Sequence, residues 1–413
     1  MAYNAMRIVV IRFAVALAAL PITVVAQVVG FALEPKVTLE NGMIKVAQSP
    51  VPDSAVFFEF SGATARKLGQ VFVPTHLWGP PSSVAVSVNG SFALVSASMR
   101  LDPNKKDGTS VSEDRYSSLG STALGSLQRL MQTRFLPDDR LSVVDLAASP
   151  LRVMQTIRLG ASPSSVAMSP TGMMALAMHP NDDSVTVLSI AADRQVTIME
   201  RLPIGRGAGP VAAAFSPDGR RVLLTRFGDN KVSLYAVEGL RLKPLRDMVA
   251  GVRPFSVSYC GGTGLAVVSN MGVNGDADTI SLIDTTAAPP RVVDTVSVGP
   301  VPEGVACAPD GQYVAALIQN MSNLPTDNPL YSPNSKLVLL KIDGKHLYRI
   351  SEASSGVWTQ GVGFLDDSRT LFAESIGDRS VYLFRIEDDA LKVAAPPLVF
   401  QDGAPVAHGI AGR

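Results

Sequence analysis

The sequence predicts an all-β chain: a seven-bladed β-propeller of four-stranded antiparallel blades, closed by pairing N- and C-terminal strands in one blade. Three observations predict it. A limb of Pro, two small or polar residues, a short apolar run and a Gly turn recurs at Pro81, Pro163, Pro210, Pro254 and Pro302. Most copies lie about 45 residues apart, the length of one four-stranded blade. Each limb leads into short alternating runs rich in β-branched residues, such as Lys231-VSLYAV and Thr279-ISLIDT, which carry strand rather than helix periodicity.

Taken in chain order, Arg7 and Arg12 precede an apolar run from Phe13 to Ala26, with Val24-Val25-Ala26 before Gln27. That layout is an export signal. Residues 1–26 are read as a signal peptide, or as a retained N-terminal anchor, and residues 27–413 as one propeller in the periplasm or secreted. No other segment offers the roughly 20 apolar residues that a spanning helix needs.

Residues 37–73 supply three candidate strands, KVTLENGMIKVA, SAVFFEF and GQVFVP. The limb Pro405-VAHGIAGR ends the chain as an inner strand with nothing after it. Together they make one blade, and pairing them removes exposed sheet edges. Between them the limb at Pro81 opens the first of six internal blades, and the degenerate copy Gln360-GVGFLDDSRT opens the last. Two stretches exceed the period, Met99–Asp138 and Met321–Asn334. The first carries Leu124, Leu127, Leu130 and Met131 at helical spacing. Both leave after the second strand of a blade, so both are expected over one face.

Composition narrows the function. There are 36 basic and 36 acidic side chains, and charged residues make up 17 %. Such a chain lacks the basic footprint of a nucleic-acid binder and the composition of a disordered one. Cys260 and Cys307 could form a disulfide in an oxidising compartment. They fall one position apart in equivalent strands, however, which points them to opposite faces and favours two buried thiols. No CxxC, zinc spacing or cofactor motif occurs. Asn274–Asp278 has calcium-type oxygen groups without the remaining ligands of a binding loop, so no metal and no cofactor is expected.

Ser216-Pro217-Asp218-Gly219 followed by RRVLLTRFGDNKVSLY, Ala308-Pro309-Asp310-Gly311 followed by QYVAALIQN, and the limb Asp278–Asp284 resemble the YVTN-type seven-bladed propellers, from about residue 37 to the end. The naming Tyr-Val-Thr-Asn string reads Leu-Leu-Thr-Arg at 223–226 and Leu-Ala-Met-His at 176–179. The resemblance implies a fold that hosts lactonases, cyclases, redox-complex subunits and binding modules alike.

Propeller geometry sends the starts of first strands and the ends of second strands to one channel mouth. Read that way, His179, Arg226, Glu303 and His408 are candidate catalytic residues. Arg253, Asn270, Asn320, Gln360, Glu374 and Arg100 are candidate ligand contacts. The two mid-chain arginines suit a carboxylate or phosphate, and a histidine with a glutamate suits acid–base work near neutral pH. The expected function is binding or scaffolding at this mouth, with a small anionic ligand or a protein as partner. The alternative is lactonase- or cyclase-like turnover of a small carboxylated substrate.

Overall fold

The computed structural model describes residues 26–47, 49–77, 79–104, 134–273 and 278–412. They form seven four-stranded antiparallel sheets and two small two-stranded ones. The inner strands Val84–Val86, Ser165–Met168, Pro210–Phe215, Pro254–Tyr259, Pro302–Cys307, Thr359–Phe364 and Ala404–Ile410 define blades 1 to 7. In blades 1 to 6 the chain runs from the axis outward.

Burial follows distance from the axis. The second strands Met174–His179, Leu265–Asn270 and Tyr313–Ile318 are buried at every position. Outer strands are mostly exposed or half-buried, and Val249 and Val393 lie 72 % and 74 % exposed. The core sits between blades. Val267, Ile280 and Leu282 of blade 4 pack on Val305, Val314 and Val338 of blade 5. Phe31 of blade 7 meets Phe372 of blade 6 edge-on at 5.3 Å. Each such side chain contributes roughly 1.5–3 kcal/mol by leaving water.

Blade 7 closes the ring as predicted, with a different N-terminal strand. Gln27–Glu34 pairs antiparallel with Ala404–Ile410, from Val29 opposite Ile410 to Glu34 opposite Ala404. It also pairs with Ser54–Ser61. Gln27 Nε2 donates to Ala411 O at 2.8 Å and to Asp366 Oδ1 at 2.7 Å, which fastens the seam to blade 6. The segment expected in this place, KVTLENGMIKVA at residues 36–47, instead folds on itself, with Val37–Glu40 paired to Met43–Val46. Asn41 and Gly42 take φ of 46° and 70°, the two-residue turn that favours Asn-Gly. A chain that reverses there cannot span a blade.

The first insertion stands on a two-stranded stem, Met99–Leu101 paired with Phe135–Pro137. Residues 105–133, with the helix expected at Leu124–Met131, lie outside the described residues. So do residues 1–25, hence the proposed signal, and residues 274–277 of the calcium-type loop. Among the described residues no helix is long and apolar enough to cross a membrane.

The cysteines correct the expectation of free thiols. Cys260 and Cys307 form a disulfide between blades 4 and 5, with Cα atoms 4.9 Å apart. Strand alternation does not govern Cys260, because it stands one residue past Pro254–Tyr259, where the turn Gly261–Thr263 begins. Register shifts in both inner strands disturb the phase further. A cross-link spanning 47 residues is worth about 4 kcal/mol in the chain-entropy account. The Cys260→Ala/Cys307→Ala variant is therefore expected to melt roughly 3–8 °C lower. Wild type in reductant should match it, as read by thermal denaturation with and without reductant. Equal melting temperatures would remove the bond from the stability of the ring.

Candidate functional site: a two-ended channel

The inner strands surround a channel that holds two cavities. The upper one, at the predicted mouth, has a volume of about 370 Å³, and the lower about 520 Å³. Glu303 and Gln360 line the upper cavity, while Gly304, one residue on from the first, and Val362, two on from the second, line the lower. The two side chains therefore mark the level where one cavity gives way to the other.

The upper cavity has an apolar wall that includes Leu77, Phe227, Phe255, Met271 and Trp358. Polar groups are few. Glu303 is buried and accepts a hydrogen bond from Gln319 Nε2 at 2.6 Å. Gln319 Oε1 in turn accepts from Asn323 Nδ2 at 3.2 Å. Burial lifts the Glu303 carboxyl to about 8. Gln360 donates from Nε2 to Gly79 O at 2.6 Å, and its Oε1 is buried without a partner. Arg253 is half-buried with its guanidinium carbon 5.5 Å from the centre of the Phe227 ring. Among the described residues it forms no ion pair. Its φ of 54° is a left-handed conformation that costs a non-glycine residue of order 1 kcal/mol or more.

Two loops stand over this mouth. Met321 and Asn323 from the second insertion line the cavity, as does Ile44 from the Asn-Gly hairpin. The hairpin and the insertion touch: Thr326 Oγ1 donates to Asn41 Oδ1 at 3.3 Å. The insertion was expected at this face. The hairpin was not, because its residues read as a blade strand.

Of the ten candidate residues, Glu303, Arg253 and Gln360 line the upper cavity. Three others sit away from it in one recurring arrangement. His179 Nε2 meets Thr186 Oγ1 at 2.8 Å. Arg226 Nη1 donates to Ser233 Oγ at 3.2 Å, and Asn270 Nδ2 to Ser281 Oγ at 3.0 Å. In each of these three blades the last residue of the second strand bonds a hydroxyl on the third strand, so these side chains tie the sheet together. Arg226 also pairs with Asp229 and with Asp247, the latter at 2.8 Å. Burial first, and then the Arg201 charge, lower His179 to about 4, so it is neutral at pH 7. Neither residue is poised as acid, base or anion clamp.

The direction of these side chains follows from the pleat. Successive residues of a strand face opposite ways, and the mouth is reached by the residue after the strand end. Phe227, Met271 and Ile376 follow Arg226, Asn270 and Ser375, and all three line the cavity. A reading one residue further along would have found them. Asn320 fastens the insertion instead, donating from Nδ2 to Ser332 Oγ at 2.7 Å and Asn334 O at 2.9 Å. Arg100 is exposed on the stem of the first insertion. His408 lines the lower cavity, and Glu374 is fully buried against it.

The raised Glu303 pKa has a sign that stability can report. The folded state holds this proton more tightly than the unfolded chain, so its contribution to stability is fully present below about pH 4.5. It is lost as pH rises through about 8. Glu303→Gln carries no such proton. The melting temperature of wild type relative to Glu303→Gln should fall steadily from pH 5 to pH 9. A difference that stays constant would mean that Glu303 is ionised throughout.

The sequence matches no protein-family model and no curated protein. Solved structures do match. A candidate 6-phosphogluconolactonase from Bacteroides uniformis shares 14 % identity over 94 % of this chain and 99 % of that one, with a TM-score of 0.65. Another from Bacteroides fragilis shares 12 % over 95 % and 99 %, also at 0.65. A protein of unknown function from Desulfotomaculum acetoxidans shares 14 % over 93 % and 98 %, at 0.61. At such identities the likeness establishes the seven-bladed propeller fold for this chain.

Proposed function

We propose that this protein is an exported YVTN-type propeller that binds a small carboxylated lactone or hydroxy acid in its upper cavity and hydrolyses the lactone there. One observation carries the reading: an arginine with no ion-pair partner among the described residues and a buried carboxyl of raised pKa line the same apolar-walled cavity. A volume of about 370 Å³ suits a small ligand. Two of the propellers that share the fold are candidate 6-phosphogluconolactonases, which points the same way.

The residues divide the work. Arg253 offers a planar fork to the ligand carboxylate. Gln319 holds the Glu303 carboxyl in place. A carboxyl near pH 8 exchanges its proton at working pH. Ionised Glu303 takes a proton from water while the oxygen adds to the lactone carbonyl. The ring C–O bond then breaks, and the departing ring oxygen recovers the proton from Glu303. Ligand capture without turnover is the second reading, favoured by the apolar wall, which would hold a ligand or a partner segment with no chemistry.

Turnover of a panel of sugar-acid lactones, with calorimetric binding of the matching hydroxy acids, tests this. Arg253→Ala should raise KM or Kd at least about tenfold with kcat nearly kept. Glu303→Gln should lower kcat by about 100-fold or more with KM kept. Binding without turnover selects the second reading. Neither binding nor turnover across the panel would overturn both.

A further inference from the structure

In blades 3 and 4 the position just before the end of the second strand reaches the next blade with a hydroxyl. Thr225 Oγ1 donates to Phe255 O at 2.9 Å, and Ser269 Oγ to Glu303 O at 2.6 Å. In each case the acceptor is backbone on the next inner strand, so the bond is a clasp between blades. Blade 6 carries Glu374 at this position. Its Oε1 lies 3.1 Å from Nδ1 of His408, a side chain of blade 7.

This exchange is costly to keep. Glu374 is fully buried, and its Oε2 has no hydrogen-bond partner. A buried carboxylate oxygen left unsatisfied costs free energy that a Ser or Thr clasp avoids. The neighbouring backbone is shaped to admit the pair. A Cβ on Gly361 would fall 2.0 Å from Glu374 Oε2 and 2.9 Å from His408 Nδ1. Phe372 meets the imidazole edge-on at 4.9 Å and fixes its plane. With Nδ1 held by Glu374, Nε2 is the nitrogen left for the lower cavity, which His408 lines.

We propose that His408 and Glu374 form an acid–base site in the lower cavity that hydrolyses a small uncharged ester or lactone. Carboxylate-held imidazoles act this way because the carboxylate fixes the tautomer and stabilises the imidazolium that forms. The cavity chooses the substrate class. Its wall is mostly Ala, Val, Phe and Gly with the hydroxyls of Ser82, Ser256 and Ser258, and among the described residues no Lys or Arg lines it. Asp366 adds a carboxylate to the lining. A carboxylated ligand would find no cation there, whereas a neutral one loses little on entry. Water gives a proton to Nε2 as its oxygen bonds the acyl carbon. The acyl C–O bond then breaks, the leaving alkoxide takes the proton back from Nε2, and an acid and an alcohol result.

The site is independent of the upper cavity, and its test uses substrates with no carboxylate for Arg253: p-nitrophenyl acetate and γ-butyrolactone. His408→Ala should lose about 100-fold or more of kcat/KM, and added imidazole should restore part of it. Glu374→Gln should lower kcat about tenfold or more with KM kept. Ala213→Phe, which fills the cavity while leaving the pair in place, should abolish turnover with the fold intact by circular dichroism. Activity retained within threefold in His408→Ala or in Ala213→Phe would overturn the proposal, as would the absence of turnover by the wild-type protein.

Discussion

The structure depends on seven inner strands converging on one axis. Near the axis the blades have no room for two layers of side chains, so backbone approaches backbone. Val166 N donates to Ser82 O at 2.9 Å, and His408 N to Pro81 O at 3.2 Å, both from one blade to the next. At Gly304 a Cβ would come within 2.3 Å of Gln360 O. This crowding explains why the recurring limb reads as Pro followed by small residues. It also leaves a channel whose walls are mainly backbone and small apolar groups, against which any polar side chain stands out.

The two ends of that channel differ in chemistry although the same strands build both. The upper end gathers Arg253, Glu303 and two glutamines within an apolar ring and lies beneath two loops. The lower end holds a carboxylate-held imidazole and no basic side chain among the described residues. One scaffold thus presents two environments, one with an arginine in its lining and one with no Lys or Arg among the described residues. The difference comes from substitutions at only a few ring positions, because the strands themselves repeat.

Much of this was legible in the sequence. The steady spacing of the limbs gives the blade count and implies closure between the chain ends. It does not identify the N-terminal strand of the seam, because VVGFALE continues the apolar run that precedes it. The Asn-Gly hairpin, meanwhile, has the alternation of a blade strand. The disulfide was missed because an alternation rule was carried one residue past a strand end, to Cys260. The site was half-legible for a related reason. Glu303, Arg253 and Gln360 sit at strand starts, where the limb fixes the phase. His179, Arg226 and Asn270 sit at strand ends, where a phase slip of one residue turns a channel contact into a sheet tie. His408 and Glu374 were named from their ring positions, but which end of the channel they serve depends on depth along the axis, which spacing does not encode.

The seam has a consequence for how the chain is made. Its sealing strand, Ala404–Ile410, follows the other six blades in chain order, while the strand it covers, Gln27–Glu34, is among the first. Any product truncated before residue 404 carries all the parts of six blades and an uncovered apolar strand at the edge of the seventh. Such an edge pairs readily with other chains, so an incomplete copy marks itself for aggregation or proteolysis. The ring therefore closes only once Ala404–Ile410 has been made, and a copy that carries it hides the edge of Gln27–Glu34.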